Sequence, residues 1–364
     1  MVSRGIVAAV LVAATVSGGS AGAEEKILNV YNWSDYIAED TIQKFEAETG
    51  IKVNYDVFDS NEIVEAKLLT GSTGYDVVVP TANFLERQVK AGVFRKLDPA
   101  LLPNLKNMDP VISDRVALHD PGNQHAVTYM WGTTGFGYNV KAITDRLGAM
   151  PTDTWALFFD PAVVSKLADC GVSLLDAPTD VMATALKYLG LDPNSESPDD
   201  LAKAEALMAT VRPHIRYFHS SQYIDDLANG ETCLAMGYSG DILQAADRAA
   251  EAKQGVEVQY VIPKEGAVVW FDMLAIPADA PHPENAHAFI NFVMQPQIAA
   301  DISNYVLYAN ANKASLPLVD EAVRNNPSVY PTDAIKQNLF PTLARSARYD
   351  RLLKRSWTKL KAGQ

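Results

Sequence analysis

A chain of 364 residues, 48% apolar and 21% charged with a net charge of −13, has material for one or two packed domains. The acidic balance disfavours nucleic acid and anionic membrane as partners and is compatible with a cationic ligand. The first 23 residues place one arginine before an apolar run and end in Ala21-Gly22-Ala23, the pattern of a secretory signal. Its removal takes Arg4 and no acid, so the mature charge becomes −14. No later run approaches the roughly 18 apolar residues of a bilayer span, so a soluble mature protein without membrane insertion is expected. No cysteine follows the cleavage pattern, which argues against a lipid anchor.

In chain order, "ILNVYNW" reads as a strand, and Ala38, Ile42 and Phe45 share a helical face before Gly50. "IKVNYDVF" is a second strand, Glu62–Leu69 a second helix and "YDVVVP" a third strand. This alternation predicts an α/β fold on a mainly parallel or mixed sheet. In such sheets ligands collect beyond the carboxyl ends of the strands, where "NWSDY" and the residues after "VVVP" fall. Glycines 132, 135 and 137 in "WGTTGFGYN" suggest a bend between two domains. The strand pattern resumes in "GVSLLDAP", "IRYF" and "CLAMGYSGD", separated by helices at Asp180–Leu189 and Ser221–Ala228. It continues in "VEVQYVIPKEG" and "VVWFDMLAIP", followed by a helix at Pro283–Met294 and a helical C-terminal region. A chain that crosses between domains and returns makes two lobes around a cleft.

Four acids end or interrupt these runs: Asp35, Asp180, Asp241 and Asp272. Carboxylates beside aromatic rings suit a short dication, with oxygens for the ammonium ends and flat faces for the methylenes. Read alone, Asp180 is first a helix cap, and Asp241 is equally a cap or a ligand contact. Asp272, flanked by Trp270, Phe271, Met273 and Leu274, needs a partner, whether a structural ion pair or a ligand. Trp33, Tyr238 and Tyr308 taken singly are packing residues. Motifs for catalysis are incomplete. His282 and His287 lack the spacing of a zinc protease, "GYSGD" lacks one residue of a nucleophile elbow, and "GSTG" lacks the lysine of a phosphate loop. Paired acids with aromatic neighbours also fit a secreted hydrolase with a carbohydrate in its cleft, which is the second reading. The two cysteines, Cys170 and Cys233, allow one disulfide in an exported chain.

Across nearly the whole mature chain the sequence resembles the periplasmic polyamine-binding proteins of ATP-binding cassette importers, most closely the putrescine-type members. The resemblance rests on "YNWSDYI", "YDVVVP", "FLERQ", "WGTTGFGYN", "CGVSLLDAP", "IRYFHSSQYIDDLANG", "GYSGD", "IPKEGA" and "YANANKA" together. It implies a two-lobed periplasmic binding protein fold of the type II kind with the ligand between lobes, no enzymatic activity and no cofactor or metal. The lobes fall at 24–134 with 256–312 and at 135–255 with 313–364. It implies an aromatic box of Trp33, Tyr36, Tyr238, Trp270 and Tyr308, with Phe84 and Phe271 on the wall. Ser34, Asp35 and Thr81 provide polar contacts, and Asp180, Asp241 and Asp272 the carboxylates, Asp272 as principal anchor. It further implies a Cys170–Cys233 disulfide, a monomer in the periplasm and an inner-membrane permease as partner. This chain departs from the putrescine-type pattern at Thr81 (serine there), Asp180 (glutamate), Tyr238 (tryptophan) and Trp270 (phenylalanine). The last change is toward spermidine-type members, whereas Ser34, Asp35 and Ala177 are putrescine-like. Putrescine is the expected ligand and spermidine the second candidate.

Overall fold

The computed structural model describes residues 24–363; the expected export signal lies outside the described residues. Its strands are β1 (Ile27–Trp33), β2 (Lys52–Phe58), β3 (Val77–Val78), β4 (Ala126–Asn139), β5 (Val172–Leu174) and β6 (Tyr217–Phe218). They continue as β7 (Leu234–Tyr238), β8 (Val258–Val261), β9 (Ala267–Ala275), β10 (Ala309–Asn310) and β11 (Leu339–Pro341). One mixed sheet runs in the order β2-β1-β3-β9-β4-β7-β5-β6, with β8 and β10 on β4 and β11 on β9.

The order has an internal symmetry. Parallel strands β2-β1-β3 form one flank and parallel strands β7-β5-β6 the other, joined through antiparallel β9 and β4. The 14-residue β4 pairs with β9 along its first part and with β7 and β8 along its last. It therefore pairs with strands of both flanks. Strand β9 is buried throughout and β4 nearly so, which is why neither shows the polar–apolar alternation of a half-exposed strand.

Each flank carries its own core. Leu28, Val30 and Phe45 pack with Phe289 and Ile302 on one side, and Phe136, Trp155, Leu174 and Met236 pack with Leu353 and Trp357 on the other. Two segments pack across the division expected from sequence. Val319, Val323 and Val329 share a core with Tyr31 and Met273, while Val258 and Tyr260 join Phe136 because β8 pairs with the far part of β4. The helix Thr41–Thr49 stops at Gly50, which adopts φ 71° and bonds its N–H to the Glu46 carbonyl.

Cys170 and Cys233 form a disulfide with Cα atoms 5.5 Å apart. They precede β5 and β7, so the bond ties together the starts of two paired parallel strands. Among the described residues no helix is long and apolar enough to cross a membrane.

Candidate functional site

The carboxyl ends of two sets of three parallel strands, one set from each flank and running in opposite directions, open on one cavity. Beyond β1 come Trp33, Ser34 and Tyr36; beyond β2, Asp59 and Asn61; beyond β3, Thr81, Asn83 and Phe84. From the other flank come Asp180 after β5, Ser220 after β6, and Tyr238 and Asp241 at the end of β7. Strand β9 sends Trp270 and Asp272 into the same space, and Tyr308 and Thr342 complete the lining.

Each of three acids is held by neutral hydroxyl groups. Asp272 accepts from Thr81 Oγ1 at 2.7 Å and Tyr36 Oη at 3.0 Å. Asn61 fixes Thr81 in turn, donating to its hydroxyl at 2.8 Å and accepting its N–H at 2.9 Å. Asp241 accepts from Tyr223 Oη at 2.6 Å and Tyr308 Oη at 2.7 Å. Asp180 accepts from Thr134 Oγ1 at 2.8 Å. It sits in the first turn of the helix Pro178–Tyr188, whose cap position is Ala177, so its carboxylate does not cap the helix.

Removal from water pushes the Asp272 and Asp241 carboxyls up to about 7 and that of Asp180 up to about 6. The hydroxyl donors oppose this shift, and at Asp272 the charges of Asp180 and Asp241 add to it. The three acids thus share a desolvated, negatively charged space in which a positive group would lower the free energy of every charged form.

The rings form a chain around them. Tyr36 meets Tyr308 with centroids 5.0 Å apart, Tyr308 meets Trp270 at 5.4 Å, Trp270 meets Tyr238 at 5.8 Å and Tyr238 meets Trp33 at 6.1 Å. All four contacts are steeply inclined, between 63° and 84°, so edges and faces alternate toward the cavity. The Trp33 indole N–H donates to the Val79 carbonyl at 2.9 Å, which fixes that ring's orientation. Two glycines make the box possible. A Cβ on Gly132 would lie 2.7 Å from Trp270, and one on Gly240 would lie 2.5 Å from Tyr308. The glycines of "WGTTGFG" therefore admit close neighbours, while the register shift in β4 lies earlier, between Thr128 and Trp131.

Residues 40–331 match the family of bacterial extracellular solute-binding proteins. The chain belongs to that family. It is 54% identical over 362 residues, covering 99% of this chain and 97% of the relative, to the putrescine-binding periplasmic protein PotF of Escherichia coli (strain K12). It is 52% identical over 357 residues, covering 98% of this chain and 97% of the relative, to the putrescine-binding periplasmic protein SpuD of Pseudomonas aeruginosa (strain UCBPP-PA14). Among solved structures, a putative spermidine/putrescine ABC transporter protein of Listeria monocytogenes matches with a TM-score of 0.83 at 31% identity, covering 93% of this chain and 100% of that one. The two-lobed fold of a periplasmic binding protein follows, and the hydrolase reading finds no support among these relatives.

Of the residues that the sequence of this solute-binding protein nominates, Trp33, Ser34, Tyr36, Thr81, Phe84, Asp180, Tyr238, Asp241, Trp270, Asp272 and Tyr308 line the cavity. Two do not. Phe271 lies on the opposite face of β9, stacked on Trp131 at 6.2 Å, because successive strand residues alternate in direction. Asp35, at φ 53°, turns its carboxylate away and accepts from Arg248 Nη2 at 2.8 Å. Sequence reasoning missed Asp59, Asn61, Asn83, Ser220 and Thr342. The strand-end rule that singled out "NWSDY" would have found Asp59, Asn61 and Ser220 had it been applied to β2 and β6 as well.

Proposed function

We propose that this protein captures a linear polyamine, putrescine before spermidine, and delivers it to an inner-membrane ABC permease. It does so as a periplasmic monomer, without covalent chemistry. The observation that carries the reading is the trio Asp180, Asp241 and Asp272, whose side chains are bonded only to neutral hydroxyls inside a ring of aromatic faces. Charge-assisted hydrogen bonds contribute roughly 1.5–3 kcal/mol each. Desolvated cation–π contacts add on the order of 0.5–2 kcal/mol. The high identity to two proteins named as putrescine-binding supports the same ligand.

The lining residues come from both flanks, so the full contact set exists only when the lobes are together, and binding favours that arrangement. We assign 24–134 with 267–330 to one lobe and 135–261 with 342–361 to the other, supported by the separate cores. Calorimetric titration with putrescine, cadaverine, agmatine and spermidine tests the reading. Saturable one-to-one binding with putrescine strongest is expected, and no heat with any of the four amines would end it.

A further inference from the structure

Behind the crossing strands, on the sheet face that carries Phe271, lies a second cavity of about 450 Å³, within the size range of small-molecule sites. Strand β9 separates the two spaces: Trp270 and Asp272 face the first, Val269 and Phe271 the second. The floor is aromatic. Trp131 stacks on Phe271 with centroids 6.2 Å apart and meets Tyr330 edge-on at 6.3 Å.

The Trp131 indole N–H is fully buried beneath this floor and has no acceptor among the described residues, so the floor offers the cavity ring surfaces rather than hydrogen bonds.

The rim reverses the sign of the molecule. In a chain of net charge −13, the cavity is bordered by Arg115, Lys313 and Lys336 against one acid, Asp109. That acid is engaged in capping the N–H of Val111 at 2.8 Å. Lys336 reaches Asp333 at 3.3 Å, on a carboxylate 97% exposed, whereas Arg115 and Lys313 have no ion pair among the described residues. His119 is hydrogen-bonded to Glu86 at 3.1 Å.

We propose that this cavity is a second ligand site, for a flat aromatic carboxylate. The ring would lie on Trp131 and Phe271, and the carboxylate would meet Arg115 and Lys313. The chemistry is the opposite of the polyamine site, so the two ligands do not compete for the same groups.

The test uses the full mature protein and 2-naphthoate, titrated alone and in saturating putrescine. Saturable one-to-one binding in both titrations is expected. The Arg115→Gln/Lys313→Gln double variant should weaken it by about tenfold or more, since two charge-assisted contacts are lost. Its putrescine affinity should be unchanged, which also reports that the variant folds. The neutral 2-naphthalenemethanol should bind far more weakly than the acid. Absence of saturable naphthoate binding, its abolition by putrescine, or indifference to the double variant would overturn the proposal. The putrescine titration reads the polyamine proposal separately, so either can fail alone.

Discussion

Asp272 has the most to lose from a change of one atom. It lies 4% exposed between Thr81 and Tyr36, with two further acids facing the same space. Asp272→Asn keeps the shape and removes the charge that an ammonium would meet. A charge-assisted bond worth about 1.5–3 kcal/mol corresponds to roughly a 10- to 150-fold loss of putrescine affinity, measurable by titration. Affinity within about twofold of wild type would remove Asp272 from the role of anchor. The same carboxyls set a pH dependence. A dication favours the ionised forms, so binding below about pH 7 must expel protons from Asp241 and Asp272, and below about 6 also from Asp180. Affinity should therefore rise between about pH 5.5 and pH 8, by up to about tenfold per pH unit for each proton released. In the unliganded protein the raised values act in the other direction. The folded state holds these protons more tightly than the unfolded one, and stability from this source falls as pH rises from about 4 to about 7. Titrations in buffers of different ionisation enthalpy would reveal the proton release. A flat affinity profile across that range would mean the three acids are not the groups that meet the ligand.

At the scale of elements, the box depends on places where a helix or strand lacks a side chain. Gly240 lies in the first turn of the helix Ser239–Ala252, and a Cβ there would come within 2.5 Å of the Tyr308 ring and 2.6 Å of the Val306 carbonyl. Neither neighbour can yield cheaply, since one is a packed ring and the other is backbone. Gly240→Ala should cost about 1–3 kcal/mol of stability by overpacking. It should also weaken putrescine binding, because displaced Tyr308 no longer donates to Asp241. Urea unfolding alongside titration checks both effects, and an alanine variant equal to wild type in each would show that the ring has room. The alternation of strands and helices was legible in the sequence because β1, β2 and the helix Thr41–Thr49 carry ordinary periodic patterns. The facing of β9 was not. All nine of its residues are buried, so no exposed residue marks which face Phe271 shares, and its neighbours Trp270 and Asp272 do not separate it from the site. Strand β11 was illegible for a related reason: three residues leave no period to read, and its place beside β9 is set by tertiary packing. That the Asp35 carboxylate meets Arg248 rather than the cavity is not legible in composition, because a positive φ at a non-glycine residue leaves no trace there.

For the molecule as a whole, the question is what holds the lobes together. Asp35, beyond β1, pairs with Arg248 on the helix that follows β7, and Arg248 also reaches Asp225 at 2.8 Å. The Asp35–Arg248 pair joins opposite flanks of the sheet, so it exists only when they approach. Its two side chains are 36% and 39% exposed, however, and exposed ion pairs contribute only about 0–1 kcal/mol. Arg248→Gln or Asp35→Asn should therefore raise the putrescine dissociation constant by no more than about fivefold, chiefly through faster release. High salt should reproduce the effect in the wild type by screening the pair. The magnitude separates two roles for Asp35. If it acts only through Arg248, Asp35→Asn should cost nothing further once Arg248→Gln is present, and a double-mutant cycle measures this directly. A loss from Asp35→Asn as large as that from Asp272→Asn, persisting in the Arg248→Gln background, would place the Asp35 carboxylate on the amine itself. The conformation described here, with that carboxylate turned to Arg248, would then differ from the liganded one at this loop.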